Sequence, residues 1–257
     1  MLRQRDRFER SDVPTPSAFR NTIAAAILAL CAVACLLLWN VCWRKANQMN
    51  NLNSDELFDA LYDQLSPTEP SAGRKWSDAS FSNVQLFIVD DVNAEKPQLL
   101  GAQIFVRNTD TNECTIVNLP LNAKVWLSEG VSSLPVQFEQ GGAAQALPPL
   151  TNATNVHVSH VIVATDRIWD QLARFKGPSA KALFTSQTND FATIASDYST
   201  GQLIKFGEML QEIGFDNINH IDAPYWDDTL ADGTAVSVID WQELPTQLGI
   251  FEWPPAE

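Results

Sequence analysis

The sequence predicts a three-layer αβα domain with a mixed central sheet, preceded by one N-terminal transmembrane helix. Three observations carry this reading. Residues 22–43 form a run of twenty-two residues without a charge. Beyond residue 80, short β-branched apolar runs alternate with amphipathic helical segments, the pattern of layered α/β domains. One of those runs, Cys-Thr-Ile-Val-Asn-Leu at 114–119, stops at Pro120, which cannot donate a ladder hydrogen bond. Its end falls where open α/β sheets usually keep their chemistry. The residues that leave it are inert: Leu121, Asn122 and Ala123, with Lys124 the nearest titratable side chain.

Residues 1–21 are polar and bury little, so they read as a disordered cytoplasmic tail. The uncharged run is long enough to cross a bilayer as a helix. Trp39 and Trp43 stand at its far end, where indoles favour the interface. Five arginines precede it, and Arg44 and Lys45 follow it closely. That bias predicts an N-terminus in the cytoplasm, a single span of the cell membrane and an extracytoplasmic remainder. A cleaved signal peptide is the rival. It normally has a shorter apolar region and small residues at the cut, and Trp-Asn-Val-Cys-Trp-Arg is a poor site. Ala32-Val33-Ala34-Cys35 faintly resembles a lipoprotein box, but Leu36-Leu37-Leu38 continues the apolar run. Cys31, Cys35 and Cys42 share one helix face, either facing lipid or forming a dimer seam.

Residues 44–80 read as a juxtamembrane spacer and linker. Within them Ser54 can cap a short helix over 55–65, and Pro67, Pro70 and Gly73 mark a loop. The domain is expected to occupy 81–257. Strands are predicted at 81–89, 99–107, 114–119, 124–127, 156–164, 191–195, 218–221 and 236–239. Helices are predicted at 135–146, interrupted at Gly141-Gly142, at 166–175 with Thr165 as its cap, at 200–213 with Gly214 as its C′ residue, and after Asp240.

The chain carries a formal net charge of −14, but residues 46–257 hold ten basic and twenty-eight acidic side chains, a net of −18. Such a surface excludes nucleic acid as a partner, because phosphate neutralisation by Lys and Arg supplies most of that affinity. Cys114 is the lone thiol there, so no intrachain disulfide holds the domain. Three histidines are too scattered for a metal site, and no phosphate loop, nucleophile elbow or dinucleotide fingerprint occurs. Asp90-Asp91 closes an apolar strand and could ligate a hard cation, or simply solvate the strand end. Ala231-Asp232-Gly233 reads as a turn.

This order of elements resembles the LytR–CpsA–Psr family of bacterial cell-envelope proteins. The resemblance rests on Val89-Asp90-Asp91 after the first strand, Gln98-Leu99-Leu100-Gly101 at the second, Asn118-Leu119-Pro120-Leu121-Asn122 at the third, and the helix from Pro135 to Gly141-Gly142. The strand at 156–164 and the helix at 166–175 follow in family order. The family is implied to transfer glycopolymers from a polyprenyl pyrophosphate lipid onto the peptidoglycan of the cell wall, with a divalent cation on the pyrophosphate. Carried over by residue, Asp91 matches a metal-binding acid and Leu100 replaces the second. Gln98 and Leu121 replace arginines, and the later arginine-bearing segment is missing or shortened between Arg174 and Phe191. Pyrophosphate needs cations or a metal.

The resemblance therefore implies a pseudoenzyme with no catalytic residue and no cofactor. Its job would be structural or regulatory, binding envelope proteins or a polyprenyl lipid. Leu100 and Leu121 are its ligand-binding candidates and Asp91 its metal candidate. Two alternatives stay open. One is an active phosphotransferase, the only reading that needs Mg²⁺, and the other is an unrelated surface binding module. Leu121 is expected to pack against apolar neighbours or line the groove instead of pointing into water.

Overall fold

The computed structural model describes residues 18–48, 51–173 and 193–254. The expected tail at 1–17, the sequence from Arg174 to 192 and the last three residues lie outside the described residues. Two compact units emerge, 1–48 and 49–257.

The described residues of the first unit form one helix, α1 (Ala18–Gln48). Its stretch Thr22–Trp39 has a mean hydropathy of 2.6, and every described side chain in that stretch is exposed. Among the described residues it is the one helix long and apolar enough to cross a membrane.

In the second unit the elements run α2 (Asp55–Tyr62), β1 (Lys75–Trp76), β2 (Phe81–Val89), β3 (Leu99–Asn108), β4 (Cys114–Leu119), β5 (Lys124–Leu127) and β6 (Gly130–Ser133). Then follow α3 (Leu134–Thr154), β7 (His160–Ala164), α4 (Ile168–Ala173), β8 (Ile194–Ser196), α5 (Thr200–Ile213), β9 (Asn219–Asp222), β10 (Tyr225–Thr229), β11 (Ala235–Ile239), α6 (Glu243–Gln247) and β12 (Phe251–Glu252).

The central sheet has the order β8-β7-β2-β3-β4-β9. β2 runs parallel to β7, β4 runs parallel to β9, and β3 runs antiparallel to both β2 and β4. Hence β2, β4, β7 and β9 all end at one edge. Side chains alternate across a strand, so the sheet carries two cores. Phe87, Ile104, Val117 and Val161 face α2 and α3 on one side. Leu86, Phe105, Ile116 and Ile162 face α4 and α5 on the other. The expected three layers and mixed sheet are present.

Several boundaries depart from the sequence reading. Residues 51–80 are not a free linker. Leu52 is buried and bridges to Ser196, and the N–H groups of Asn53 and Ser54 donate to the carbonyls of Tyr198 and Ser196. Leu57 and Ala60 of α2 join the α3-side core, and β1 pairs with β12. The reason is burial: Leu52, Leu57 and Ala60 remove apolar surface from water that a solvated spacer would leave exposed. Ser54 does cap α2, accepting the Leu57 N–H, but the helix ends at Tyr62.

The strand expected at 156–164 begins only at His160. Before it, the side chain of Gln64 pairs with both backbone groups of Val158, and Asn83 donates to the carbonyl of His157. Side chains thus satisfy the backbone groups that a neighbouring strand would otherwise have to pair. Helix α3 breaks at Gly141 and Gly142, where Gly142 takes φ 66°, then continues to Thr154 through Pro148 and Pro149. Burial of Ala143, Ala146, Leu147 and Leu150 offsets the backbone hydrogen bonds the prolines lack. His157 and His160 do not share a strand; His157 is exposed in the preceding loop.

Candidate functional site

The shared edge gathers the C-termini of β2, β4, β7 and β9 and the start of β3. Two grooves open there, and Leu121 lines both. One, of about 430 Å³, is bounded by Pro97, Gln98, Leu99, Leu121, Pro135 and Phe138, with Lys96 and Glu139 as its charged residues. The other, of about 350 Å³, lies between the end of β4 and Asp222, Tyr225 and Ser237. Lys96, Glu139 and Asp222, not Lys124, are therefore the charged side chains of the two grooves. Lys124 lies instead against β10, its Nζ 2.7 Å from Asp228 Oδ2. The Lys124 ammonium beside Asp228 holds that carboxyl below its ordinary value.

Leu121 is 42% exposed. It lines the groove as expected, but it is not withdrawn from water. The physical reason is its place in the tight turn after Pro120, where Ala123 N–H donates back to the Pro120 carbonyl and only Ala123 turns into the core. Leu100 is 51% exposed. Ile88 pairs with Gly101 and Val89 with Leu99, so Leu100 is the extra residue of a bulge. Its neighbour Leu99 is the one that faces the groove.

Asp91 sits on the loop after β2. Its Oδ1 accepts the Asn93 N–H at 2.9 Å. Asp90 Oδ1 accepts the N–H groups of Gln98 and Asp91 at 2.7 and 2.8 Å, and these donors hold its carboxyl below the ordinary value. The pair therefore pins the β2–β3 loop. Among the described residues no group of three or more His, Cys, Asp or Glu side chains could hold a metal ion.

One constellation has no linear signature. Trp169 Nε1 donates to Gln103 Oε1 at 3.1 Å, Gln103 Nε2 donates to Asn118 Oδ1 at 2.8 Å, and Asn118 Nδ2 donates to Asp222 Oδ1 at 3.0 Å. Gln103, Asn118 and Asp222 are register partners on β3, β4 and β9. This amide ladder ends on the one carboxylate that lines the second groove. Only pairing of strands far apart in sequence brings its members together; the signal available was that Gln103 and Asn118 interrupt apolar strands.

No protein-family model matches the sequence, and no curated protein matches it. Solved structures do share its fold. TagV of B. subtilis superposes with a TM-score of 0.51 at 8% identity, over 67% of this chain and 97% of that one. The yvhJ protein of Bacillus subtilis, described as a transcriptional regulator, gives 0.49 at 10% identity over 67% and 95%. The gbs0355 protein of Streptococcus agalactiae gives 0.49 at 11% identity over 69% and 91%. The chain has an α/β domain of the TagV fold, as its element order implied.

Proposed function

We propose that this chain is a single-pass membrane protein of the LytR–CpsA–Psr type in the bacterial cell envelope, with its N-terminus cytoplasmic and its α/β domain outside. It transfers no glycopolymer and serves as a regulatory or structural module that binds envelope proteins or the chain of a polyprenyl lipid. The observation that carries the reading is the lining of the larger groove: Leu99, Leu121, Pro97, Pro135 and Phe138 around a single lysine that is matched by Glu139. The apolar wall of this mixed groove suits a hydrocarbon chain. A net charge of −18 over 46–257 repels a pyrophosphate head. The TagV fold and the apolar helix α1 support the family and the membrane attachment.

The test uses the full chain in detergent with magnesium and a polyprenyl-pyrophosphate-linked glycan as donor. No transfer to peptidoglycan fragments is expected. Sustained product formation, abolished by Asp91→Ala, would overturn the proposal and favour the magnesium-dependent transferase.

A further inference from the structure

A third cavity lies at the opposite edge of the sheet, where β2 and β7 begin and β3 ends. It measures about 300 Å³ and sits between the sheet and α5. Its walls are aromatic. Phe105 and Phe206 meet edge to face at 5.4 Å, and Tyr198 stacks on Phe206 at 5.8 Å and on His160 at 4.0 Å. Its cations are Arg107 and Lys205. His160 also lines the cavity, with its Nδ1 2.6 Å from the Asp197 carboxylate.

Neither Arg107 nor Lys205 belongs to any of the four ion pairs among the described residues. Arg107 Nη2 donates to Asn112 Oδ1 at 2.6 Å, and Nη1 reaches only the Met209 sulfur at 3.2 Å. Its Nε is buried without a hydrogen-bond partner. In residues 46–257 acids outnumber bases by twenty-eight to ten. A guanidinium held there by an amide oxygen and a thioether, with one donor buried and idle, is a charge awaiting an anion.

We propose that this cavity binds a small monoanion with an aromatic body, its carboxylate between Arg107 and Lys205 and its ring against Phe105, Tyr198 and Phe206. The aromatic walls supply stacking and burial, and the two cations supply charge-assisted hydrogen bonds. The site is remote from the grooves at the other edge and does not depend on the function proposed for them.

The probe is 4-fluorobenzoate, titrated against the full chain in detergent and read by fluorine NMR. 4-Fluorobenzamide is the neutral control, and empty micelles correct for partition. Saturable binding of the acid is expected, with the amide about tenfold weaker. Arg107→Gln should weaken the acid about tenfold and leave the amide unchanged. Lys205 is exposed on α5, so Lys205→Gln keeps the fold and should weaken the acid several-fold. No saturation below about 10 mM, equal affinity for acid and amide, or wild-type affinity in Lys205→Gln would each overturn the proposal.

Discussion

His160 Nδ1 lies 2.6 Å from Asp197 Oδ2, while Oδ1 of the same carboxylate accepts the Val161 N–H at 2.7 Å. An ionised carboxylate only accepts, so Nδ1 carries the proton in this pair. Asp197 thus ties the first turn of β7 to the end of β8 and fixes the His160 ring against Tyr198. Its side chain is only 4% exposed. Asp197→Ala strands a buried backbone N–H and the ring nitrogen. It is expected to destabilise the domain by about 2–4 kcal/mol, read by chemical denaturation. Asp197→Asn keeps an acceptor for Val161 and should cost less.

Gln85 is fully buried on β2. Its amide donates to the carbonyls of Leu86 and Gln103, and its Oε1 has no partner. Gln85→Met removes an unsatisfied acceptor and should leave stability within about 1 kcal/mol of the parent. Gln85→Glu places an uncompensated charge at the same point and should cost about 3–5 kcal/mol at neutral pH. A denaturation series on the two variants separates them.

Three exposed carboxyls, Asp90, Asp228 and Asp232, are held below their ordinary value of 3.8. Backbone donors act on Asp90 and Asp232, and Lys124 acts on Asp228. A depressed carboxyl contributes stability above its unfolded value and loses it as pH falls through the folded one. The melting temperature should therefore hold down to about pH 5 and decline below about pH 4. Lys124→Met should return the Asp228 carboxyl toward 3.8 in an NMR titration, because the side-chain hydrogen bond is the leading cause of its depression.

Leu121→Arg would destabilise the domain were Leu121 buried. At 42% exposure an arginine can keep its head in water while its stem covers the groove wall. The change is expected to alter stability by less than about 1 kcal/mol in a thermal melt. It should restore no glycopolymer transfer, because one added cation still faces Glu139 and Asp222.

Much of the fold was legible because local chemistry and tertiary context agree. Phe81–Val89, Cys114–Leu119 and Thr200–Ile213 have the predicted bounds. The β-branched runs and the helical spacing of Leu203, Phe206 and Leu210 leave little choice. Strands β1 and β12 were not legible: Lys75–Trp76 finds Phe251–Glu252 across most of the chain, and two residues carry no period. Nor was β10, whose Tyr-Trp-Asp-Asp-Thr lacks an apolar alternation and is held by β11. At the site, the turn after Pro120 marked the edge correctly. Lys96 and Glu139 could not be foreseen in the groove, because the β2–β3 loop and α3 meet there only through the fold. The basic side of the third cavity was hidden for the same reason. Arg107 on β3 and Lys205 on α5 are far apart in sequence and meet at one cavity only once the helix packs on the sheet.

The proposed function requires a groove edge that takes a hydrocarbon and gives a pyrophosphate no hold. The direct measurement is calorimetric titration of the full chain in detergent with farnesyl pyrophosphate and with farnesol, each with magnesium. The pyrophosphate head is expected to confer no advantage, the two lipids binding within about threefold of each other. Binding of farnesyl pyrophosphate more than about tenfold tighter than farnesol, dependent on magnesium and lost in Asp91→Ala, would contradict it.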